Sequence, residues 1–246
     1  MDGSLRDPAG VRHRADGVFK PQVASRLANR FIRNRVRTGY RASRRFRIVA
    51  RMATATARDD GSSRATEAGT LVIFTRVEGL LRHRVTKASE TTRRALDALV
   101  LGHVPLVLVS DSNAADVGAL QRDLGLVQPF ICNGGGSLHI PASYFSETAE
   151  SDAASWEVFN FDPPDRAAAI RLLSALFVAR GHDKILSVGL GSESGDATML
   201  AAVDVPIVVR DQHRDQQPLL QYVPGAYVTT ATGAAGWLEA VIGPAV

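Results

Sequence analysis

The chain has 246 residues, of which 45% are hydrophobic and 22% are charged, a composition typical of a soluble globular protein. Its single cysteine, Cys132, excludes an internal disulfide framework and favours a reducing, cytoplasmic location. No apolar run approaches the roughly 18 residues of a membrane span, and no apolar segment follows the charged start, so we expect neither a transmembrane segment nor a secretory signal.

The positive charge is concentrated at the N-terminus. Residues 1–52 contain 14 Lys+Arg and 3 Asp+Glu, a net charge of +11, which leaves 15 and 22 of the chain totals of 29 and 25, or −7, for the remainder. Composition predicts a basic, disordered arm and linker at 1–68 and one folded domain at 69–246. Because the rest of the chain is acidic, we expect contacts with nucleic acid or anionic surfaces only through 1–52.

The basic arm is open to several interpretations. Val23, Leu27, Phe31 and Ile32 fall near helical spacing with arginines between them, a pattern typical of segments that touch nucleic acid or a membrane surface. Organelle transit peptides have a similar composition. A solvated tail, or an upstream extension with translation starting at Met52, also explains this stretch.

From Thr70 onward, apolar strand-like runs alternate with helical patterns, which predicts a mostly parallel α/β sheet. The predicted strands lie at 71–75, 104–109, 130–132, 138–140, 156–161, 184–190, 206–209 and 227–229. The predicted helices lie at 86–101 after a Thr86 cap, up to Leu124 after a Ser112 or Asn113 cap, and at 164–180, 196–202 and 234–242. Gly102 and Gly125 stand where the first two helices are expected to end.

Three predicted strands are followed by polar residues, at 75–78, 110–112 and 191–196. The carboxyl ends of parallel strands meet at one edge of a sheet, so these residues predict a functional crevice there. Ser, Asp and Gly at strand ends also serve as ordinary turn and capping residues, and that interpretation stays open. The turn at 133–136 is either an anion-binding nest or a hairpin turn.

Several segments carry a family resemblance, in consistent order over most of 70–240: VIFTRVEGLL, VPLVLVSDS, LGLVQPFICNGGG, PASYF, KILSVGLGSESGDATML and GAAGW. Together they resemble the haloacid-dehalogenase superfamily of phosphatases and, within it, mannosyl-3-phosphoglycerate phosphatases. The resemblance implies a three-layer, Rossmann-like core. It also implies an aspartate nucleophile after the first strand, a second aspartate two residues on as general acid and base, and Mg²⁺.

At the matching positions, this chain departs from the expected chemistry. The nucleophile position holds Arg76, whose guanidinium stays protonated and cannot attack phosphorus, and the acid–base position holds Glu78. The resemblance assigns phosphate contacts to Ser110 and to Arg166, which stands in place of a lysine. Asn133 is a further phosphate-binding candidate.

The expected metal ligands are also incomplete. Asp196 is retained in the last loop, while Ser192 replaces another expected aspartate. Because Mg²⁺ depends on carboxylate and substrate oxygens, we expect it to bind weakly or not at all. We further expect the Arg76 guanidinium to replace the metal electrostatically, pairing with Glu78, Asp196 or both.

The segment at 146–165 is about 20 residues long where the resembled phosphatases carry a sizeable cap domain, so the cap is expected to be essentially absent and the crevice open. The leading hypothesis is a catalytically impaired phosphatase-family protein that still binds a phosphorylated small molecule through Ser110, Arg166 and Arg76. One alternative is an active Mg²⁺-dependent phosphomonoesterase that uses Glu78. Another is an interaction protein that works through its basic arm.

Overall fold

In the computed structural model, the described residues are 70–81, 90–142, 144–145, 155–179, 184–213 and 215–242. The predicted basic arm and the candidate cap Thr86 lie outside them. No helix among the described residues combines the length and apolarity that crossing a membrane requires.

The described residues form one eight-stranded sheet in the order β5-β4-β3-β2-β1-β6-β7-β8. The strands are β1 Thr70–Arg76, β2 Leu106–Val109, β3 Phe130–Cys132, β4 Ser137–Pro141, β5 Trp156–Asn160, β6 Ile185–Gly191, β7 Val205–Arg210 and β8 Tyr227–Thr232. Strand pairs from β3 through β2, β1, β6 and β7 to β8 are parallel, whereas β3–β4 and β4–β5 are antiparallel. The predicted α/β class with a mostly parallel sheet is therefore confirmed.

Helices cover both faces of the sheet. They are α1 Glu90–Leu101, α2 Ala114–Leu124, α3 Arg166–Ala179, α4 Ala197–Ala201, α5 Gln217–Tyr222 and α6 Gly233–Ile242. Successive side chains of β1 point to opposite faces, so Leu71 and Ile73 join the core formed with α1, α2 and α6. Val72 and Phe74 join the core formed with α3, α4 and α5, which completes the three layers.

The ends of α2 follow the signals in the sequence. Asn113 is the N-cap, because its side-chain oxygen accepts the amide of Asp116 at 3.0 Å. Gly125 ends the helix with φ of 67°, and its amide donates to the carbonyl of Arg122. Of the two predicted caps, the structure thus selects Asn113.

The structure differs from the prediction at several boundaries. Helix α3 begins at Arg166, after Pro164, and β8 continues to Thr232. Helix α5 was not predicted, because six residues are too few for a helical period to stand out. Between β4 and α3, β5 extends the core sheet by pairing antiparallel with β4.

Candidate functional site

The carboxyl ends of β2, β1 and β6 lie side by side, because β1 is the middle strand of the three. Arg76, the last residue of β1, is in register with Val109, the last residue of β2. The loops that follow these strands therefore meet at one edge of the sheet. That edge brings together most of the predicted site residues: Arg76, Glu78, Ser110, Arg166, Ser192 and Asp196.

Arg76 lies at the centre of this edge and is only 3% exposed. Its Nη1 atom is 2.9 Å from Glu78 Oε2, and its Nε atom is 2.7 Å from Asp196 Oδ1, both ion pairs without hydrogen-bond alignment. Its Nη2 atom donates a hydrogen bond to Asp111 Oδ2 at 2.7 Å. One guanidinium thus contacts three carboxylates that come from three strand ends, a set we call the Arg76 cluster.

Asp196 is fixed by the tight turn that follows β6. It is 1% exposed, and its Oδ2 atom accepts the amides of Ser192 at 2.8 Å and Glu193 at 3.0 Å. Burial raises the pKa of the Asp196 carboxyl, while the Arg76 charge and the two amides act in the opposite direction. A Cβ at Gly191 would lie 2.7 Å from that of Asp196, so the close approach of this loop requires glycine at the end of β6.

Glu78 links the loop after β1 to the loop after β2. Its Oε1 atom accepts the Ser110 hydroxyl at 2.5 Å and the Asp111 amide at 3.1 Å. Ser110 is fully buried, and its Oγ atom also accepts the amide of Ser112 at 3.0 Å. The hydroxyl predicted to bind phosphate is therefore engaged by a neighbouring carboxylate.

Asp111 is the site residue that sequence reasoning missed. Its Oδ1 atom accepts a hydrogen bond from Arg166 Nη2, so this carboxylate bridges Arg76 and Arg166. Partial burial acts to raise the pKa of Asp111, but hydrogen bonds and charge from the two arginines outweigh it and hold the pKa below its ordinary value. The available signal was its position directly after Ser110, at a strand end already expected to face the crevice.

The remaining predicted residues contribute less directly. Arg166 Nη1 donates to the carbonyl of Gly195 at 2.5 Å, which ties the start of α3 to the loop after β6. Asn133 donates its side-chain amide to Ser137 Oγ at 3.0 Å, within the turn between β3 and β4. Its phosphate-binding role stays a prediction, and the segment 133–136 connects two antiparallel strands.

A divalent metal ion does not fit this arrangement. The inward-facing oxygens of the three carboxylates lie 2.7 to 2.9 Å from guanidinium nitrogens, so a permanent cation already occupies the space between them. Burial acts to lower the pKa of Arg76, but the carboxylates outweigh it and raise the pKa above its ordinary value. Within the described part of the chain, no group of three or more His, Cys, Asp or Glu side chains is arranged to hold a metal ion.

The Arg76 cluster and Arg166 together carry no net positive charge. With all groups ionised, Arg76 and Arg166 supply two positive charges against three negative charges from Glu78, Asp111 and Asp196. Both guanidinium groups already contact carboxylates. An incoming anion would therefore have to displace one of these internal partners.

Comparison with known proteins points to the same phosphatases as the motifs. No family model matches the chain. Over 75 residues it is 32% identical to the glucosyl-3-phosphoglycerate/mannosyl-3-phosphoglycerate phosphatase of Methanococcoides burtonii, and over 74 residues it is 28% identical to that of Persephonella marina. Each match covers 30% of this chain, and the chain spans only 28% of the length of these curated relatives.

Solved structures with a similar arrangement are more distant in sequence. A haloacid dehalogenase-like hydrolase protein from Bacillus subtilis has a TM-score of 0.45 at 11% identity, covering 79% of this chain and 98% of that one. The deoxy-D-mannose-octulosonate 8-phosphate phosphatase of Haemophilus influenzae has a TM-score of 0.42 at 15% identity, covering 72% and 88%. A protein from Thermoplasma acidophilum has a TM-score of 0.48 at 14% identity, covering 71% and 96%.

Proposed function

We propose that this chain is a haloacid-dehalogenase-like phosphatase core in which hydrolysis of phosphomonoesters is lost or strongly impaired. The observation that carries the proposal is the position of Arg76. Its guanidinium occupies the end of β1, buried against Glu78 and Asp196, where the resemblance expects an aspartate nucleophile. A protonated guanidinium has no electron pair to donate to phosphorus, so no aspartyl-phosphate forms there.

The neighbouring carboxylates are poorly placed to replace the nucleophile. Glu78 has one oxygen on the Ser110 hydroxyl and the other facing Arg76. Asp196 has one oxygen on two backbone amides and the other facing the same guanidinium. Each carboxylate therefore has a hydrogen-bond donor against one oxygen and the Arg76 guanidinium against the other, so neither has an oxygen free to approach a phosphorus atom.

Phosphate release tests this proposal. The purified chain would be incubated with Mg²⁺ and mannosyl-3-phosphoglycerate, glucosyl-3-phosphoglycerate or a panel of simple phosphomonoesters. An Asp196→Ala variant prepared in parallel measures contaminating phosphatase. We expect equal, background-level release from both proteins. Release by the unmodified chain that disappears in Asp196→Ala would show that the protein is an active phosphatase and that another group, Glu78 first, carries the attack.

A second candidate function is the binding of a phosphorylated small molecule without hydrolysis. It is favoured by one observation, the meeting of Arg76 and Arg166 at a single point on the crevice edge. Arginine pairs of this kind recognise phosphate and carboxylate groups. Binding would appear as a ligand-dependent rise in Tm that Arg166→Gln abolishes, with Arg171→Gln on the exposed side of α3 as the matched control.

A further inference from the structure

We infer that Asp111 is an internal anion that occupies and closes a two-arginine site for a small oxyanion. The inference concerns the ligand of the crevice and so rests on the proposed binding function. Its starting point is the bridge that one carboxylate makes: Oδ2 to Arg76 Nη2 at 2.7 Å and Oδ1 to Arg166 Nη2. A bound carboxylate or phosphate group would use the same two donors in the same way.

The two arginines are held in place by contacts other than Asp111. Arg76 is buried between Glu78 and Asp196, and Arg166 donates its Nη1 to the carbonyl of Gly195 at 2.5 Å. These anchors come from the loops after β1 and β6. When Asp111 leaves, the two Nη2 donors are therefore expected to keep their positions, which is the property of a preorganised site.

Asp111 is the one carboxylate of the Arg76 cluster that reaches water easily. Its side chain is 50% exposed, against 20% for Glu78 and 1% for Asp196. It stands in the short loop between β2 and the Asn113 cap of α2. Turning this side chain out breaks its contacts with the two arginines but needs no movement of the sheet, so an oxyanion can exchange with this carboxylate.

The charge of these groups favours one anion at a time between the two arginines. With Asp111 in place, the Arg76 cluster and Arg166 together carry two positive and three negative charges, which disfavours a second anion. With Asp111 turned out, Arg76 and Arg166 balance Glu78 and Asp196, and two directed donors face the vacated position. The ligand class is a phosphate or carboxylate group small enough to span these donors.

Calorimetric titration with inorganic phosphate tests the inference on the full chain. We expect Asp111→Ala to bind phosphate at least about tenfold more tightly than the unmodified protein, because one adjacent negative charge and one competing ligand are gone. Asp111→Asn, which keeps the side-chain shape, should give a gain of the same sign and serves if the alanine variant folds poorly. Asp123→Ala, an equal charge change on the exposed side of α2, should leave phosphate affinity unchanged.

A second pair of variants tests whether the gain in phosphate affinity depends on Arg166. Adding Arg166→Gln to Asp111→Ala should abolish the tighter binding, whereas adding Arg171→Gln should preserve it. Acetate titrations show whether a carboxylate suffices or a phosphate group is needed, and tighter binding of either anion supports the inference. Equal affinity in the Asp111 variants and the unmodified chain, or a gain that survives Arg166→Gln, would overturn it. These titrations read affinity alone, so their failure is separate from any result of the phosphate-release assay.

Discussion

At the scale of single residues, Arg76 is the internal cation that allows three carboxylates to lie close together at this edge of the sheet. Three carboxylates converging on one buried point would repel one another strongly without a counter-charge. The guanidinium supplies that charge through three nitrogens, each facing a different carboxylate. The residue that balances the charge also stands where the family resemblance expects the nucleophile, which is the basis of the proposed loss of hydrolysis.

Removal of the Arg76 guanidinium should show how much this charge compensation contributes to stability. We expect Arg76→Ala to lower the free energy of unfolding by about 3–5 kcal/mol, since it leaves the buried Asp196 and the partly buried Glu78 without their partner. Divalent cations should restore part of that loss, so Tm should rise with Mg²⁺ or Ca²⁺ in the variant and respond little in the unmodified chain. Thermal unfolding with and without each cation measures both effects. Arg171→Ala serves as the control, and an identical cation response in all three proteins would contradict this account.

Glu239 is a second residue whose charge state matters, here for stability. Its carboxylate accepts the amides of Thr230 at 2.9 Å and Ala231 at 2.8 Å and the hydroxyl of Tyr227 at 2.7 Å. Burial acts to raise the pKa of Glu239, but these donors outweigh it and lower the pKa below its ordinary value of 4.5. The ionised carboxylate thus joins the end of β8 to α6.

The lowered pKa sets the direction of the pH dependence. Stability from Glu239 is present above pH 4.5 and is lost as the pH falls through the lower folded-state pKa. At neutral pH we expect Glu239→Gln to cost about 1–3 kcal/mol, and the difference from the unmodified chain should shrink in acid. Urea unfolding across this pH range measures it, with exposed Glu157→Gln on β5 as control. A constant difference at every pH would refute the assignment.

At the scale of elements, the short turn between β3 and β4 positions the start of α3. Gly135 has φ of 95°, and a Cβ there would lie 2.4 Å from the backbone nitrogen of Arg166. The turn and the helix therefore pack with no room for a side chain. Because Arg166 is the first residue of α3, this contact also places its guanidinium at the Arg76 cluster.

A side chain added in this turn should therefore weaken its packing against α3 and destabilise the fold. We expect Gly135→Ala to cost about 2 kcal/mol or more, since it adds both backbone strain and a steric clash. Gly118→Ala is the matched control, because its Cβ would meet only Arg122 Nη1 at 3.7 Å within α2, where alanine is favoured by about 1 kcal/mol. Chemical denaturation compares the two variants. Equal stability of both would mean that the turn readily shifts away from α3.

Element prediction succeeded where local signals are strong. The buried strands and the limits of α2 follow from apolar runs, an Asn113 cap and a Gly125 stop. Strands were also predicted at 138–140 and 156–161, where β4 and β5 lie, but the local signals did not show that the partly buried β5 pairs with β4 at the edge of the core sheet. Its place in the core sheet depends on a partner rather than on its own pattern.

At the scale of the whole molecule, charge is divided along the chain: +11 over residues 1–52 and −7 over the remainder. We expect the full chain to bind anionic lipid vesicles or RNA in a salt-sensitive manner, and deletion of 1–52 to abolish that binding. Vesicle co-sedimentation and RNA gel shifts at increasing salt measure it. Arg171→Gln removes a single positive charge outside the arm and should leave this binding unchanged. Binding that survives the deletion would assign it to the acidic remainder instead.

The sequence by itself determined the layers of this protein and the identity of the unusual residue at its edge. Alternating strand and helix patterns predict the parallel sheet, and the family resemblance, which aligns Arg76, Glu78 and Asp196 with an acidic metal site, implies a cation among carboxylates. Tertiary structure alone decided how the cluster closes. Asp111 reaches Arg76 across 35 positions and Arg166 across 55 positions of the chain. Such contacts depend on strand order and side-chain direction, which local periodicity does not encode.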